Sequence, residues 1–359
     1  MEVINFAEPD IREGDIFAVT DLLRGSKRLT DGDQCRKFER DFRLYTGAEY
    51  ALTTSSCMSA LVLAYMALGI GKGDEVICTA MSHVATAHAI EMVGATPVFV
   101  DCDSFGNIEH NSIKPIITRK TKAIAIVHYL GFACDMDWIM GIAENYGLEV
   151  IEDCALAMGT KFNDNHVGTF GYGTFSFYPC KHLTTCEGGM FTTKNKEVYE
   201  KAKTISSFGK LGGGYNYDIK YLGSNFRMSE MQAVLGRQQL KRIGEYKQKR
   251  VNNFIKYAEL DEYFIGGFVK SASPYCYKMK FRSEEKRDGA MGKLNINNIG
   301  FSIYYPHPIP RLEYYREKYG YKKVWFKNAE AIADTTLALP VGPHITEEDI
   351  ERIVKICRK

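Results

Sequence analysis

Lys181 stands in a segment of apolar, small and hydroxyl residues, Ser176-Phe177-Tyr178-Pro179-Cys180-Lys181-His182-Leu183-Thr184-Thr185-Cys186-Glu187-Gly188-Gly189. An apolar strand is expected to end at Pro179, with the lysine close behind it. Burial at a strand end disfavours the ammonium form of an amine. A neutral amine is the nucleophile that makes a Schiff base with a carbonyl. A surface lysine in a loop would look the same from this stretch alone.

Three further stretches carry related chemistry. Glu149-Val150-Ile151-Glu152-Asp153-Cys154-Ala155 is an apolar run closing on two carboxylates, 28 residues before the lysine. A carboxylate at Asp153 suits the ring nitrogen of pyridoxal phosphate, which must stay protonated for the ring to withdraw electrons. An aspartate capping a helix shares that signature. Thr53-Thr54-Ser55-Ser56-Cys57-Met58-Ser59 leads small hydroxyl residues into a helix. Free N–H groups at such a start hold a phosphate, or the serine simply caps the helix. Ala80-Met81-Ser82-His83-Val84 follows another apolar run, and His83 could stack on a flat cofactor or be a structural histidine.

These residues need a scaffold that gathers strand ends. From about residue 50 short apolar runs (75–78, 96–100, 123–127, 149–151, 174–178 and 190–193) alternate with helical patterns (59–68, 85–93 and 136–146). Runs apolar on both faces, separated by helices, predict an α/β domain with a mostly parallel sheet covered by helices. Ligands of such sheets bind beyond the carboxyl ends of the strands. Helices are expected around 11–23 and 35–45, and one long helix over 229–260. The glycines 209, 212, 213, 214 and 223 suggest a loose connection over 207–225. A large domain is placed at 1–240 and a smaller C-terminal α/β domain at 241–359.

Bulk properties narrow the classes. The chain has 359 residues, 45% apolar and 25% charged, which excludes a disordered or collagenous protein. Lys plus Arg is 46 against 44 for Asp plus Glu, with no basic stripe of the kind nucleic acids select. The densest basic stretch, Lys241 to Arg250, reads as a solvated helix face. Ten cysteines without Cys-x-x-Cys spacing or a His-Glu-x-x-His motif predict free thiols and no metal site. No signal peptide or apolar span of 18 residues is visible, so a cytoplasmic, non-membrane protein is expected.

Taken together, the stretches resemble the DegT/DnrJ/EryC1/StrS sugar aminotransferases, of the aspartate-aminotransferase fold (fold type I). The resemblance runs from Leu29-Thr30-Asp31-Gly32 to Leu339-Pro340. Its most specific segments are Ser176-Phe177…Lys181…Glu187-Gly188-Gly189 and Gly223-Ser224-Asn225-Phe226-Arg227-Met228. It implies that Lys181 holds pyridoxal 5'-phosphate as a Schiff base and shuttles the proton, and that Asp153 pairs with the pyridine nitrogen. His83 takes the place of the stacked ring. The amides of Cys57 and Met58 and the hydroxyl of Ser176 hold the phosphate, and Asn225 reaches it from the partner in a homodimer. Tyr305 and His307, in Tyr304-Tyr305-Pro306-His307-Pro308, border the substrate pocket. The implied reaction takes an amino group from glutamate, through pyridoxamine 5'-phosphate, to a nucleotide-linked keto sugar.

Two positions depart from the family pattern. Cys57-Met58 stands where Gly-Thr or Cys-Thr is common, and Leu156 stands where Gln or His often faces the cofactor's ring hydroxyl. Both leave room for a small phosphorylated ketone as acceptor. A keto-sugar dehydratase on this scaffold carries histidine in place of the lysine, whereas here Lys181 is present and His182 follows it. A non-catalytic cofactor-binding regulator would need neither Lys181 nor Asp153.

Overall fold

The computed structural model describes residues 3–213, 216–261, 269 and 271–358. The chain opens with α1 (Glu13–Gly25) and α2 (Asp33–Thr46). Helix α2 buries Cys35, Phe38, Phe42 and Thr46, a single stripe at helical spacing. Its first turn is capped from far along the chain. The Glu230 carboxylate accepts the N–H groups of Gly32, Gln34 and Cys35 at 3.0, 2.7 and 3.2 Å.

The alternation that follows is β1 (Tyr50–Thr54), α3 (Cys57–Leu68), β2 (Glu75–Thr79), α4 (Val84–Met92), β3 (Thr96–Val100), β4 (Thr121–Val127), α5 (Met136–Tyr146) and β5 (Glu149–Asp153). Two short rungs, β6 (Lys161–Phe162) and β7 (Asn165–His166), precede β8 (Tyr172–Ser176) and β9 (Gly189–Thr193). The seven longer strands form one sheet in the order β1-β9-β8-β5-β4-β2-β3. Strand β9 pairs antiparallel with both β1 and β8, while β8, β5, β4, β2 and β3 pair in parallel. The mostly parallel α/β sheet expected from the apolar runs is therefore present. Strand β1 (Tyr-Ala-Leu-Thr-Thr) was not among the runs expected from the sequence.

Other expectations need correction. Strand β8 stops at Ser176, because Phe177 turns its N–H to Gly188 O and Lys181 its N–H to Tyr178 O, both at 2.9 Å. Lys181 thus sits on a turn beyond the strand. After α6 (Lys196–Ser206), the glycine-rich segment is not a loose loop. It folds into an antiparallel pair, β10 (Lys210–Gly213) and β11 (Asn216–Ile219), while Gly214 lies outside the described residues. The expected long helix is two, α7 (Glu230–Leu240) and α8 (Ile243–Leu260). The break falls at Arg242, which leaves helical geometry and gives its guanidinium to the buried Asp15 at 2.6 Å. The basic stretch is not wholly solvated either. Arg250 is buried and donates to Tyr275 O at 3.0 Å.

The rest of the chain carries β12 (Tyr277–Lys280), α9 (Glu284–Ile296), α10 (Glu313–Tyr319), α11 (Lys327–Thr335), β13 (Thr336–Leu339) and α12 (Glu347–Arg358). Its apolar core joins Phe254 and Tyr257 of α8 to Leu337, Leu339, Ile350 and Ile353, and draws in Ile4 from the chain start. A separate apolar cluster joins Ala80, Met81 and Leu156 to Tyr275, Cys276 and Ala338. Among the described residues no helix is long and apolar enough to cross a membrane. All ten cysteines are free thiols, and Cys186 is exposed.

Candidate active site

The carboxyl ends of β1, β2, β5 and β8 open on one region, and each contributes a group. Asp153, the last residue of β5, is 5% exposed. Its Oδ2 accepts the Thr86 hydroxyl at 2.8 Å and its Oδ1 the Ala155 N–H at 3.1 Å. The residues after it form turns rather than a helix, so Asp153 caps none. Cys57 Sγ faces Oδ1 at 4.0 Å. Burial pushes the Cys57 thiol far above its ordinary value, and the Asp153 charge adds to that, so the thiol stays protonated.

Lys181 reaches the same place from its turn. Burial lowers the proton affinity of its amine, while the Cys180 and Cys57 sulfurs and the Asp153 carboxylate pull the other way. Its Nζ lies 5.1 Å from the centre of the Tyr275 ring. His83, the N-cap of α4, accepts the Ala85 N–H on Nδ1 at 3.2 Å and leaves its ring exposed. The Tyr305 ring stands edge-on to it, with centroids 5.8 Å apart. His307 is exposed on the same segment, which is fastened to the β2 loop by Ile309 N–H on Ala80 O at 2.8 Å. Leu156 is buried in the cluster with Tyr275 and Tyr129, so it presents no polar atom there.

The start of α3 makes a cradle for an anion. Ser56 caps it by accepting the Ser59 N–H at 3.0 Å, and the hydroxyls of Ser55 and Ser59 meet at 2.9 Å. The N–H groups of Cys57 and Met58 head the helix, where no intrahelical acceptor exists. Ser176 ends β8 opposite Gly189. A side chain at Gly189 would put a Cβ 2.5 Å from the Ser56 carbonyl, so only glycine lets β9 run this close to the cradle. Asn225 is exposed, and its neighbour Phe226 accepts the Ser55 N–H of the same chain at 2.8 Å. A buried carboxylate, a desolvated amine, an open imidazole face and a helix N-terminus fit the ring nitrogen, aldehyde, ring and phosphate of pyridoxal phosphate.

The model of the DegT/DnrJ/EryC1/StrS aminotransferase family matches residues 9–358. The chain belongs to this family. It is 33% identical to the UDP-4-amino-4-deoxy-L-arabinose–oxoglutarate aminotransferase of Shewanella sediminis, over 98% of this chain and 97% of the relative. Among solved structures, the Helicobacter pylori aminotransferase of pseudoaminic acid biosynthesis superposes with a TM-score of 0.94 at 27% identity, covering 99% and 98% of the two chains. A Streptococcus pneumoniae protein described as a sugar aminotransferase, with both pyridoxal and pyridoxamine phosphate forms solved, gives 0.93 at 27% identity, over 99% of this chain and at least 97% of its own. The DegT/DnrJ/EryC1/StrS member described here is thus a fold type I aminotransferase. Its cofactor is pyridoxal 5'-phosphate, with pyridoxamine 5'-phosphate as the amino-carrying form.

Some residues of this aminotransferase carry no sequence signal. Thr86 lies in the first turn of α4, and only the fold brings it to Asp153, 67 residues away. Glu152, His128 and Cys154 come within 4.8 Å of one another, as metal ligands do. Their bonds point to structure instead. Glu152 accepts N–H groups from Gly168, Phe170 and Gly171 as well as His128 Nε2. His128 Nδ1 accepts the Cys134 N–H at 3.1 Å, which fixes the proton on Nε2, where a metal would need a lone pair.

Proposed function

We propose that this aminotransferase moves an amino group from L-glutamate to a nucleotide-linked keto sugar, at C4 or C3 of a deoxysugar destined for a surface polysaccharide or glycoconjugate. The observation that carries the reading is that the Lys181 amine lies within electrostatic reach of the Asp153 carboxylate, beside the N-terminus of α3. The likeness to an aminotransferase of UDP-4-amino-4-deoxy-L-arabinose supports the acceptor class.

When bound, pyridoxal phosphate supplies an aldehyde for the amine and a ring that takes up electrons from the carbon losing its proton. The remaining work falls to the chain. Asp153, held by Thr86 and Ala155, keeps the ring nitrogen protonated. The Cys57 and Met58 amides and the Ser176 hydroxyl anchor the phosphate, while the His83 ring covers one face. Lys181 Nζ would hold the aldehyde until the donor displaces it, and the freed amine would then carry a proton between the donor's α-carbon and the carbon on the other side of the amino nitrogen. Burial lowers the proton affinity of Lys181, which favours the neutral amine that a base needs. Tyr305 and His307 border the acceptor, and Leu156 leaves the ring hydroxyl without a side-chain donor. Asn225 of a second subunit completes the phosphate site, so the working unit is a homodimer. The reading divides the chain into a cofactor-holding part, 1–240, and a smaller part, 241–359, that supplies Tyr275 and Tyr305. One site serves both half-reactions, so donor and acceptor follow ping-pong kinetics.

The test begins with the purified protein and added pyridoxal phosphate. A visible band should form, and borohydride should fix the cofactor on the peptide holding Lys181. In a separate, unreduced sample glutamate alone should bleach the band, and Lys181→Ala should abolish the fixation. A panel of keto sugar nucleotides and phosphorylated ketones identifies the acceptor. Fixation elsewhere, or a band that glutamate leaves unchanged, defeats the reading. Turnover of the phosphorylated ketones alone defeats its sugar half.

A further inference from the structure

Tyr275 reaches the lysine from the far part of the chain. Its ring lies 5.1 Å from Lys181 Nζ. Its hydroxyl donates to the sulfur of Cys180, the residue before the lysine, at 3.1 Å. The Tyr304 hydroxyl meets the same oxygen at 2.8 Å. Since Tyr275 gives its proton to sulfur, Tyr304 is the donor in that pair. The backbone of Tyr275 is pinned on both sides. Its N–H donates to Leu130 O at 2.9 Å, and its carbonyl accepts from the buried Arg250 guanidinium at 3.0 Å. The Phe6 ring stands edge-on at 6.3 Å.

We propose that Tyr275 is a positioning residue for Lys181: its ring face steadies the amine, and its hydroxyl on Cys180 ties the ring to the lysine turn. The proposal rests on Lys181 being the amine that holds the cofactor. A lysine side chain is a point charge on a flexible stem, so it needs confinement to move one proton between two fixed atoms. A tyrosine face attracts a cation without bringing a formal charge of its own. The other groups facing the amine are the Asp153 carboxylate, the thiols of Cys57, Cys180 and Cys276, and the imidazoles of His83 and His182. None of these offers a flat apolar face fixed by hydrogen bonds at the hydroxyl, the N–H and the carbonyl, as Tyr275 is.

Three variants test this in the full chain loaded with pyridoxal phosphate. Tyr275→Phe keeps the ring and removes its hydroxyl, Tyr275→Leu removes both, and Cys180→Ala removes the acceptor from the other side. Borohydride should fix the cofactor on Lys181 in all three and in the parent. In Tyr275→Leu the pH midpoint of the visible band should fall by about half a unit, since a contact favouring the cation is lost. In Tyr275→Phe and Cys180→Ala kcat should fall about tenfold, with the KM for glutamate within about twofold. A Tyr275→Leu protein with the parent's midpoint and kcat overturns the proposal. Should that variant not fold, parental kcat in both Tyr275→Phe and Cys180→Ala overturns it equally. A parent that fixes no cofactor on Lys181 overturns both this proposal and the reading beneath it.

Discussion

Glu152 and Asp153 are adjacent carboxylates with different tasks, and the pleat separates them. Successive side chains of a strand point to opposite faces. Glu152 turns into the layer below, where, against burial, the His128 imidazole first and then backbone N–H groups hold its carboxyl below the ordinary value. Asp153 turns toward Thr86 and the cradle. Asp153→Asn tests the assignment at this scale, because an amide keeps an acceptor for Thr86 but carries no charge for the ring nitrogen. The variant should keep the parent's melting temperature and lose about a hundredfold or more in kcat, the scale of one electrostatic contact removed from a water-excluded site. Undiminished turnover would refute the role. Lys181 and Asp153 could be singled out in the sequence because each stands at or just past the end of an apolar run that reads as a strand. Thr86 and Tyr275 were not, because their types are common and their partners lie 67 and 94 residues away along the chain.

At the scale of elements, the strands and helices of the sheet region announced themselves by apolar runs, and the errors fell where side chains override local pattern. The break between α7 and α8 is set by Arg242 reaching Asp15, a contact that no window of neighbouring residues contains. The segment between β5 and β8 is likewise tied by a buried histidine. His166 accepts the Gly159 N–H on Nε2 at 2.9 Å and meets Val167 O through Nδ1 at 2.6 Å, so it is neutral with its proton on Nδ1. Burial lowers its pKa to about 4. The unfolded chain takes up this proton near pH 6.5, so stability is complete above that pH and drains away as the pH falls toward the folded value. Between pH 7.5 and 5 the His166 share of that loss is about 2 kcal/mol. His182, buried with Nε2 on Ser273 O and shifted the same way, adds a second proton over the same range. Urea unfolding across this range should therefore show a slope smaller by about one proton in His166→Gln than in the parent. Equal slopes would mean that His166 is charged in the folded chain.

For the whole molecule, the proposed homodimer rests on Asn225 reaching the phosphate site of a second subunit. The glycine-rich segment folds into a hairpin whose Leu211, Tyr217 and Ile219 are exposed, and Leu222 beside it is 87% exposed. Exposed apolar side chains gathered on one element suit the proposed interface with a second copy. Phe226, next to Asn225, bonds Ser55 of its own chain, and the arrangement the test must separate from the proposed one has Asn225 serving that same chain. Mixed subunits separate the two arrangements. A Lys181→Ala subunit paired with an Asn225→Ala subunit assembles one doubly damaged site and one intact site, provided Asn225 crosses to the partner. Random pairing at equal amounts makes half the dimers mixed, so about a quarter of parental activity should return. If Asn225 serves its own chain, every site in the mixture keeps one defect and nothing returns. Native mass spectrometry of the same sample shows whether mixed dimers have formed. Their presence without recovery would move the phosphate contact back into a single chain and remove the reason for requiring a dimer at all.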